Sequence, residues 1–428
     1  LRALGGIGLR HDDDEIRRAA IGDEGLRPVD HIMIAVAPGG GFDRLKVGAR
    51  AGLGHRDRTD DFPARHGQCH AATLHFALAA CPHAGFASGA GRRHPGQTAG
   101  GNGCRRRVAR QDGHVVQRIL SGRLPHLEKP DHVLWIGDSL VHRVFPEWLA
   151  NTVKGGTLIT DHEEGQDPYG FVNNRIVSDV ALFCDALAAL LPEPHPITSE
   201  MFNRERITTD RILDAYPPDT STTLNALEPL IARWTLKTAS RFNVKVFLGN
   251  SMPIRWAGLY GPYPGNATPV LANRGASGID GAIATVAGLC QGYTDPRPII
   301  AILGDLTVFH DLPSLALVSS QKLPLILVVL NNGGGGIFHH LPQARCCPDL
   351  LNPWFTAGPA IRDFSYAARM FGLNYLAPDS QADFQVALES LLKAETLKPT
   401  LIELHFDPEK SVETHARLTE YCLQALTR

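Results

Sequence analysis

Apolar residues gather in short unbroken blocks along the last three hundred positions: Val133–Ile136, "GTLIT", "VKVFL", "PIIAIL", "PLILVVL" and "PTLIEL". Blocks of this length without polar alternation read as strands covered on both faces, the habit of parallel sheets. Segments with helical spacing lie between them: "FPEWLANTV", "DVALFCDALAALL", "GAIATVAGLCQG", "DLPSLALVSSQ", "FSYAARMFG" and "FQVALESLLKA", with one more short strand near Tyr375. Strands alternating with helices predict an α/β fold, a doubly wound parallel sheet in each of two domains. The pattern places a Rossmann-like β-α-β domain at 125–221 and a second α/β domain at 222–428. The Pro-rich stretch from Pro192 to about Thr222 is expected to link them and to hold one short helix. No internal repeat or low-complexity run is present.

The first 120 residues look different. They hold 17 Arg and 1 Lys against 12 acidic residues, a balance of +6, while the remainder has 24 basic against 32 acidic, −8, which together give the net −2. They contain no Trp or Tyr, and their apolar residues seldom keep a period of 2 or 3.6. "CRRRVAR", Cys104–Arg110, is one short basic cluster with no aromatic platform, so nucleic acid is not the expected partner. The Arg-for-Lys bias, the missing aromatics and a start at Leu1 predict that 1–124 is unassigned sequence: a misjoined translation, or a disordered segment.

Eight scattered cysteines lack C-x-x-C spacing, and the adjacent Cys346 and Cys347 suit no ordinary bridge. No apolar run approaches the length of a membrane span. Free thiols in a cytoplasmic protein are the expectation.

The stretch "LVVLNNGGGGIFHHLP" sets two asparagines and four glycines directly after a buried strand. The carboxyl ends of strands are where open α/β sheets bind ligands. Asp305 ends the preceding strand, with one helix between, so a right-handed crossover returns Asp305 and Asn332 to one sheet edge. A carboxylate, an amide oxygen and a backbone carbonyl make an oxygen-only half-cage suited to Mg²⁺, and glycines let a diphosphate approach the backbone. Helix capping by Asp305 and a simple turn at Asn332 are the competing readings.

The motifs "GDL" and "NNGGGGIF", with "GNSMPIR" (Gly249–Arg255), "NRGASGIDG" (Asn273–Gly281) and "GDLTVFHDLPSLAL", resemble the 2-succinyl-5-enolpyruvyl-6-hydroxy-3-cyclohexene-1-carboxylate synthase family of thiamine diphosphate enzymes in menaquinone and phylloquinone biosynthesis. The resemblance covers about residues 125–428. It implies that 125–221 is a partial middle domain and that 222–428 is the diphosphate-binding domain, with Asp305, Asn332 and the carbonyl of Gly334 holding Mg²⁺ or Mn²⁺. It also implies cofactor contacts from Ile279, Gly304, Gly335, Ile337, Phe338 and Leu341, with Ile279 bracing the bent cofactor. Ser251, Arg255 and Arg274 would receive substrate carboxylates and serve catalysis. Arg143 stands where such enzymes usually have a lysine facing the site, and it keeps the charge but not the donor geometry.

The implied reaction is decarboxylation of 2-oxoglutarate and conjugate addition of the succinyl carbanion to isochorismate, in a homodimer or homotetramer without nucleic acid or membrane. Both substrates are dicarboxylates, which suits the planar fork of Arg. The chain departs from the family in one respect. The pyrimidine-binding domain and its glutamate are not recognisable, since only Glu15 and Glu24 precede residue 120 and neither lies in the expected context. A catalytically incomplete cofactor-binding relative is therefore an alternative. Another decarboxylase or ligase of the class, similar to acetolactate synthase, is the second. The Arg cluster argues against that one, because a monocarboxylate substrate would not need it. His310, His339 and His340 carry no spacing that singles them out.

Overall fold

The computed structural model describes residues 31–36, 73–77, 132–136, 141–142, 144–161, 167, 169–190, 207–217, 222–262, 269–274, 277–356 and 363–426. Arg143, Glu15, Glu24, the basic cluster at Cys104–Arg110 and most of the stretch between Pro192 and Thr222 lie outside them. The chain separates into two compact units.

The first unit contains a five-stranded parallel sheet in the order β2-β1-β3-β4-β5. Its strands are β1 His31–Val36, β2 Thr73–Ala77, β3 His132–Ile136, β4 Gly156–Thr160 and β5 Val172–Val177, with helices α1 Val144–Thr152 and α2 Val180–Leu190. The strands expected at Val133–Ile136 and "GTLIT" are present as β3 and β4. β1 and β2 fall inside 1–124, the stretch expected to be misjoined or disordered; of that stretch only these two strands are described, paired in register to the sheet. β5, "VNNRIV", has a mostly exposed edge and lacks the apolar block that marks the others.

The second unit holds a six-stranded parallel sheet ordered β10-β11-β9-β8-β6-β7. Its strands are β6 Lys245–Leu248, β7 Val270–Ala272, β8 Ile299–Gly304, β9 Leu325–Asn331, β10 Asn374–Leu376 and β11 Thr400–His405. The helices needed below are α3 Glu228–Phe242, α4 Met252–Tyr260, α5 Ala282–Gly292, α6 Asp305–His310, α7 Leu315–Ser320, α8 Pro342–Cys346, α9 Pro348–Trp354, α10 Ser365–Phe371, α11 Gln381–Lys393 and α12 Pro408–Leu426. A further helix covers residues 207–214.

β8 and β9 show why unbroken apolar blocks become central strands. Ile300, Ile302, Ile326, Val328 and Leu330 pack on one face with residues of α3, α4, α11 and α12. Ile299, Ala301, Leu303, Leu325, Leu327 and Val329 pack on the other with residues of α5, α7 and α10. Successive side chains point to opposite faces, so only a strand covered twice needs every position apolar. Each such Ile, Leu or Val contributes about 1.5–3 kcal/mol by leaving water.

The order of strands fixes the place of the site. From β6 the chain moves outward to β7, then returns to lay β8 on the other side of β6. That reversal opens a crevice at the carboxyl ends of β6 and β8, the switch point where such sheets bind ligands. β8 and β9 pair from Ile299↔Leu325 through Gly304↔Leu330, so Asp305 and Asn331 leave the sheet at one level.

Candidate functional site

Asp305 opens α6 and is 3% exposed. Its Oδ2 accepts the backbone N–H of Asn332 at 3.0 Å and of Gly334 at 2.8 Å, and its Oδ1 accepts that of Leu306 at 2.7 Å. The carboxylate thus organises the glycine loop around itself. Burial pushes the Asp305 carboxyl above its ordinary value, opposed by the N–H groups of Leu306, Gly334, Asn332 and Gly333.

Gly333, Gly334 and Gly335 follow with φ of 81°, 87° and 75°, the left-handed region that costs side-chain-bearing residues most. At Gly335 space also excludes a side chain, since an added Cβ would lie 2.6 Å from the carbonyl oxygen of Phe355. At Gly333 the same Cβ would meet nothing within 4 Å, so the backbone there faces open space. Phe338 packs its ring 5.5 Å from that of Phe355. Ile279, Phe338 and Leu341 are half-buried, and so is Ile337, which leans on the core beneath α3 and α4.

The second carboxylate here was not singled out from sequence. Glu228, at the start of α3, is 3% exposed. It accepts from Trp256 Nε1 at 3.3 Å, Asn332 Nδ2 at 3.4 Å and Ser411 Oγ at 3.2 Å. Burial raises its pKa first, and the charge of Asp305 raises it further, against the three hydrogen bonds. Among the described residues neither Asp305 nor Glu228 has a Lys or Arg partner. Two buried carboxylates, the charge of one raising the pKa of the other, thus hold the two sides of the Asn332 segment.

Across the crevice, β6 runs into Gly249, whose N–H donates to Ile302 O at 2.8 Å. Ser251 then precedes α4 with φ 70°, a strained setting for a residue with a side chain, of the kind that collects at functional sites. Arg255 Nη1 donates to Ser251 O at 2.6 Å, and Arg274 Nη1 to Asn250 Oδ1 at 2.6 Å. Asn250 also donates to Gly278 O at 2.8 Å, fixing the loop after β7. Burial lowers the pKa of both guanidinium groups, and Arg274 lowers that of Arg255 further. Among the described residues neither Arg has a carboxylate partner. A surface salt bridge, the ordinary reason for an Arg, is thus absent for both among the described residues.

Two more groups escaped the sequence reading. His142 contacts the carbonyl of Arg255 at 3.2 Å, and its burial takes the ring to about 4. Asp311 accepts the N–H groups of Ile283 at 2.7 Å and Ala284 at 3.1 Å, closing the amino end of α5 from 27 to 28 residues away. His340 serves as packing, with its ring 5.2 Å from Trp256 and 5.7 Å from His415.

Residues 255–404 match the family described as "Thiamine pyrophosphate enzyme, C-terminal TPP binding domain". The chain is similar to the 2-succinyl-5-enolpyruvyl-6-hydroxy-3-cyclohexene-1-carboxylate synthase of Rubrobacter xylanophilus, 33% identical over 303 residues, 70% of this chain and 50% of that protein. It is also similar to the synthase of the same name from Chlorobium phaeovibrioides, 40% identical over 317 residues, 71% of this chain and 50% of the relative. With the Aeromonas salmonicida synthase it shares 43% identity over 162 residues, 37% of this chain and 28% of that one. The chain therefore spans about half the length of the first and second of these relatives.

Proposed function

We propose that this chain, which is similar over most of its length to 2-succinyl-5-enolpyruvyl-6-hydroxy-3-cyclohexene-1-carboxylate synthases, carries the diphosphate-binding part of such a synthase. The reaction is decarboxylation of 2-oxoglutarate and joining of the four-carbon fragment to isochorismate. The observation that carries this reading is the pairing of two opposite sites at one switch point: buried Asp305 closing the glycine loop, and Arg255 with Arg274 lacking any acid among the described residues. Membership in the wider class supports the first site, and the chemistry of dicarboxylates supports the second.

In this reading Asp305, Asn332 and the Gly334 carbonyl hold Mg²⁺ or Mn²⁺, and the metal carries the diphosphate of thiamine diphosphate. The open backbone at Gly333, and at Gly304, where an added Cβ would meet Thr307 Oγ1 at 4.0 Å, leaves room for that group. When bound, the cofactor supplies the electron sink for loss of carbon dioxide. The protein positions two anions and offsets their charge. Arg255 and Arg274, already desolvated and repelling one another, gain most when a carboxylate arrives between them. Ser251 holds its carbonyl on Arg255 and so fixes the fork. Ile279, Ile337, Phe338 and Leu341 supply the apolar walls. A homodimer or homotetramer in the cytoplasm is the proposed setting; among the described residues no helix is long and apolar enough to cross a membrane.

Calorimetric titration with thiamine diphosphate and Mg²⁺, beside Asp305→Ala, tests the seat. Saturable, metal-dependent binding lost in the variant is expected, and binding that ignores metal would sink the assignment. Product analysis with 2-oxoglutarate against pyruvate tests the Arg pair, and a preference for pyruvate would move the chain to another member of the class.

A further inference from the structure

Asn331 and Asn332 are neighbours, yet their amides are held by carboxylates from opposite directions. Asn331 Nδ2 donates to Glu403 Oε1 at 2.6 Å, across 72 residues. Asn332 Nδ2 donates to Glu228 Oε2 at 3.4 Å, across 104 residues. Both carboxylates are buried, Glu403 completely. Glu403 Oε2 further accepts the N–H of Phe364 at 2.9 Å and the hydroxyl of Tyr375 at 2.8 Å. The exposed His405 ring stands 3.6 Å from Glu403 Oε1.

A side-chain amide can present either its oxygen or its NH₂ in a given direction, and a carboxylate only accepts. The carboxylates therefore settle the choice. With both NH₂ groups drawn away, both oxygens turn into the glycine loop: Asn331 Oδ1 accepts the N–H of Gly333 at 3.2 Å, and Asn332 Oδ1 accepts that of Gly336 at 3.3 Å. We infer that Glu403 and Glu228 are positioning residues for the loop, whose role is to fix which end of each Asn amide faces it. For Asn332 this inference rests on the function proposed above, because its Oδ1 is then the atom offered to the cation. For Asn331 it stands without that reading.

Near-isosteric substitutions separate polarity from packing. In Glu403→Gln the new amide keeps its oxygen toward Phe364 and Tyr375 and turns its NH₂ on Asn331. Asn331 must then reverse, and its own NH₂ meets the N–H of Gly333. The Gly333 N–H, which also lies against the Asp305 carboxylate, loses one of its two acceptors, and its amide exchange is expected to quicken about tenfold, the scale of one lost hydrogen bond. Asn331→Asp alone sets two carboxylates together and is expected to disturb the loop as well. The double variant Asn331→Asp, Glu403→Gln restores a donor facing an acceptor and leaves Oδ1 for Gly333, so exchange should return near the wild-type rate. Tyr375→Phe removes a different donor from the same carboxylate and should leave Gly333 unchanged.

Unchanged exchange in Glu403→Gln, no recovery in the double variant, or equal acceleration in Tyr375→Phe would each overturn the inference. For Glu228→Gln, the Mn²⁺ concentration that half-saturates thiamine diphosphate binding should rise about tenfold, whereas Ser411→Ala should not move it. An equal rise in both variants would reduce Glu228 to a core anchor. Failure of the wild-type full chain to bind metal and cofactor would remove the function proposed above, and the exchange measurements would still decide the role of Glu403.

Discussion

At the carboxyl ends of β8 and β9 the polar groups answer one another: Asp305 takes the loop's N–H groups, and the two asparagines take N–H groups of the loop and give to buried carboxylates. At the ends of β6 and β7 two half-buried guanidinium groups reach, among the described residues, a carbonyl and an amide oxygen. The first edge is a built receptacle with surplus negative charge; the second is a pair of cations without an anion among the described residues. Under the function proposed above, the difference assigns the first edge to the cofactor and the second to the substrates. A receptacle that keeps one cofactor through many turnovers benefits from being preorganised, whereas a site that admits and releases substrates keeps its charge unanswered until they come.

The contrast can be broken at either edge. Asp305→Ala should cost most, because it removes a proposed ligand and frees the loop together: metal-dependent cofactor affinity should fall by about two to three powers of ten. Asp305→Asn, with the same shape and no charge, should lose nearly as much metal affinity while calorimetry shows the loop's thermal stability largely kept. At the other edge, Arg255→Ala or Arg274→Ala should weaken binding of a dicarboxylate such as 2-oxoglutarate about 10- to 100-fold, measured by titration at fixed ionic strength. Because the two cations repel, the double variant should lose less than the sum of the singles. Lysine at either position should restore part of the affinity only.

Smaller effects sharpen the picture of the loop. Gly335→Ala combines positive φ with a contact against the Phe355 carbonyl, and should lower stability by about 1–3 kcal/mol in denaturant titration. The least effect concerns pH. Burial lowers His142 to about 4, His340 to about 3 and His415 to about 4 from 6.5. The unfolded chain then binds more protons than the folded one below pH 6.5, so stability should decline as pH falls from about 6.5 toward 4. His340→Leu should flatten that decline, as read from melting temperature against pH.

Much of the sheet was legible because a central parallel strand writes itself as an unbroken apolar block; β8, β9 and β11 lie where those blocks predicted. β5, mostly exposed, and β7, three residues long, were not, although β10, equally short, was expected near Tyr375. α3 also escaped: its apolar face is interrupted by Glu228 and Arg233, and both are buried by partners far along the chain. Asp305, Asn332 and Gly334 were marked because strand ends and glycines are local signals, and the structure brings the three together through the Asp305 carboxylate. Ser251, Arg255 and Arg274 were likewise marked by their motifs and lie on the adjoining edge. Glu228, Glu403, Asp311 and His142 share another character: each acts on residues well removed in sequence, and nothing beside them names its partner.

The buried carboxylates beneath the two asparagines also bear on transplantation. A protein engineer who copied "NNGGGG" onto the end of a strand in another α/β scaffold would move the letters of the loop without Glu403, on the next strand, or Glu228, on a helix lying over the sheet. In the new host each amide would be free to turn either end inward, and the graft would sample several loop shapes in place of one. The smallest portable unit is thus the loop with the end of β11 and the first turn of α3, three pieces drawn from positions 228 to 403.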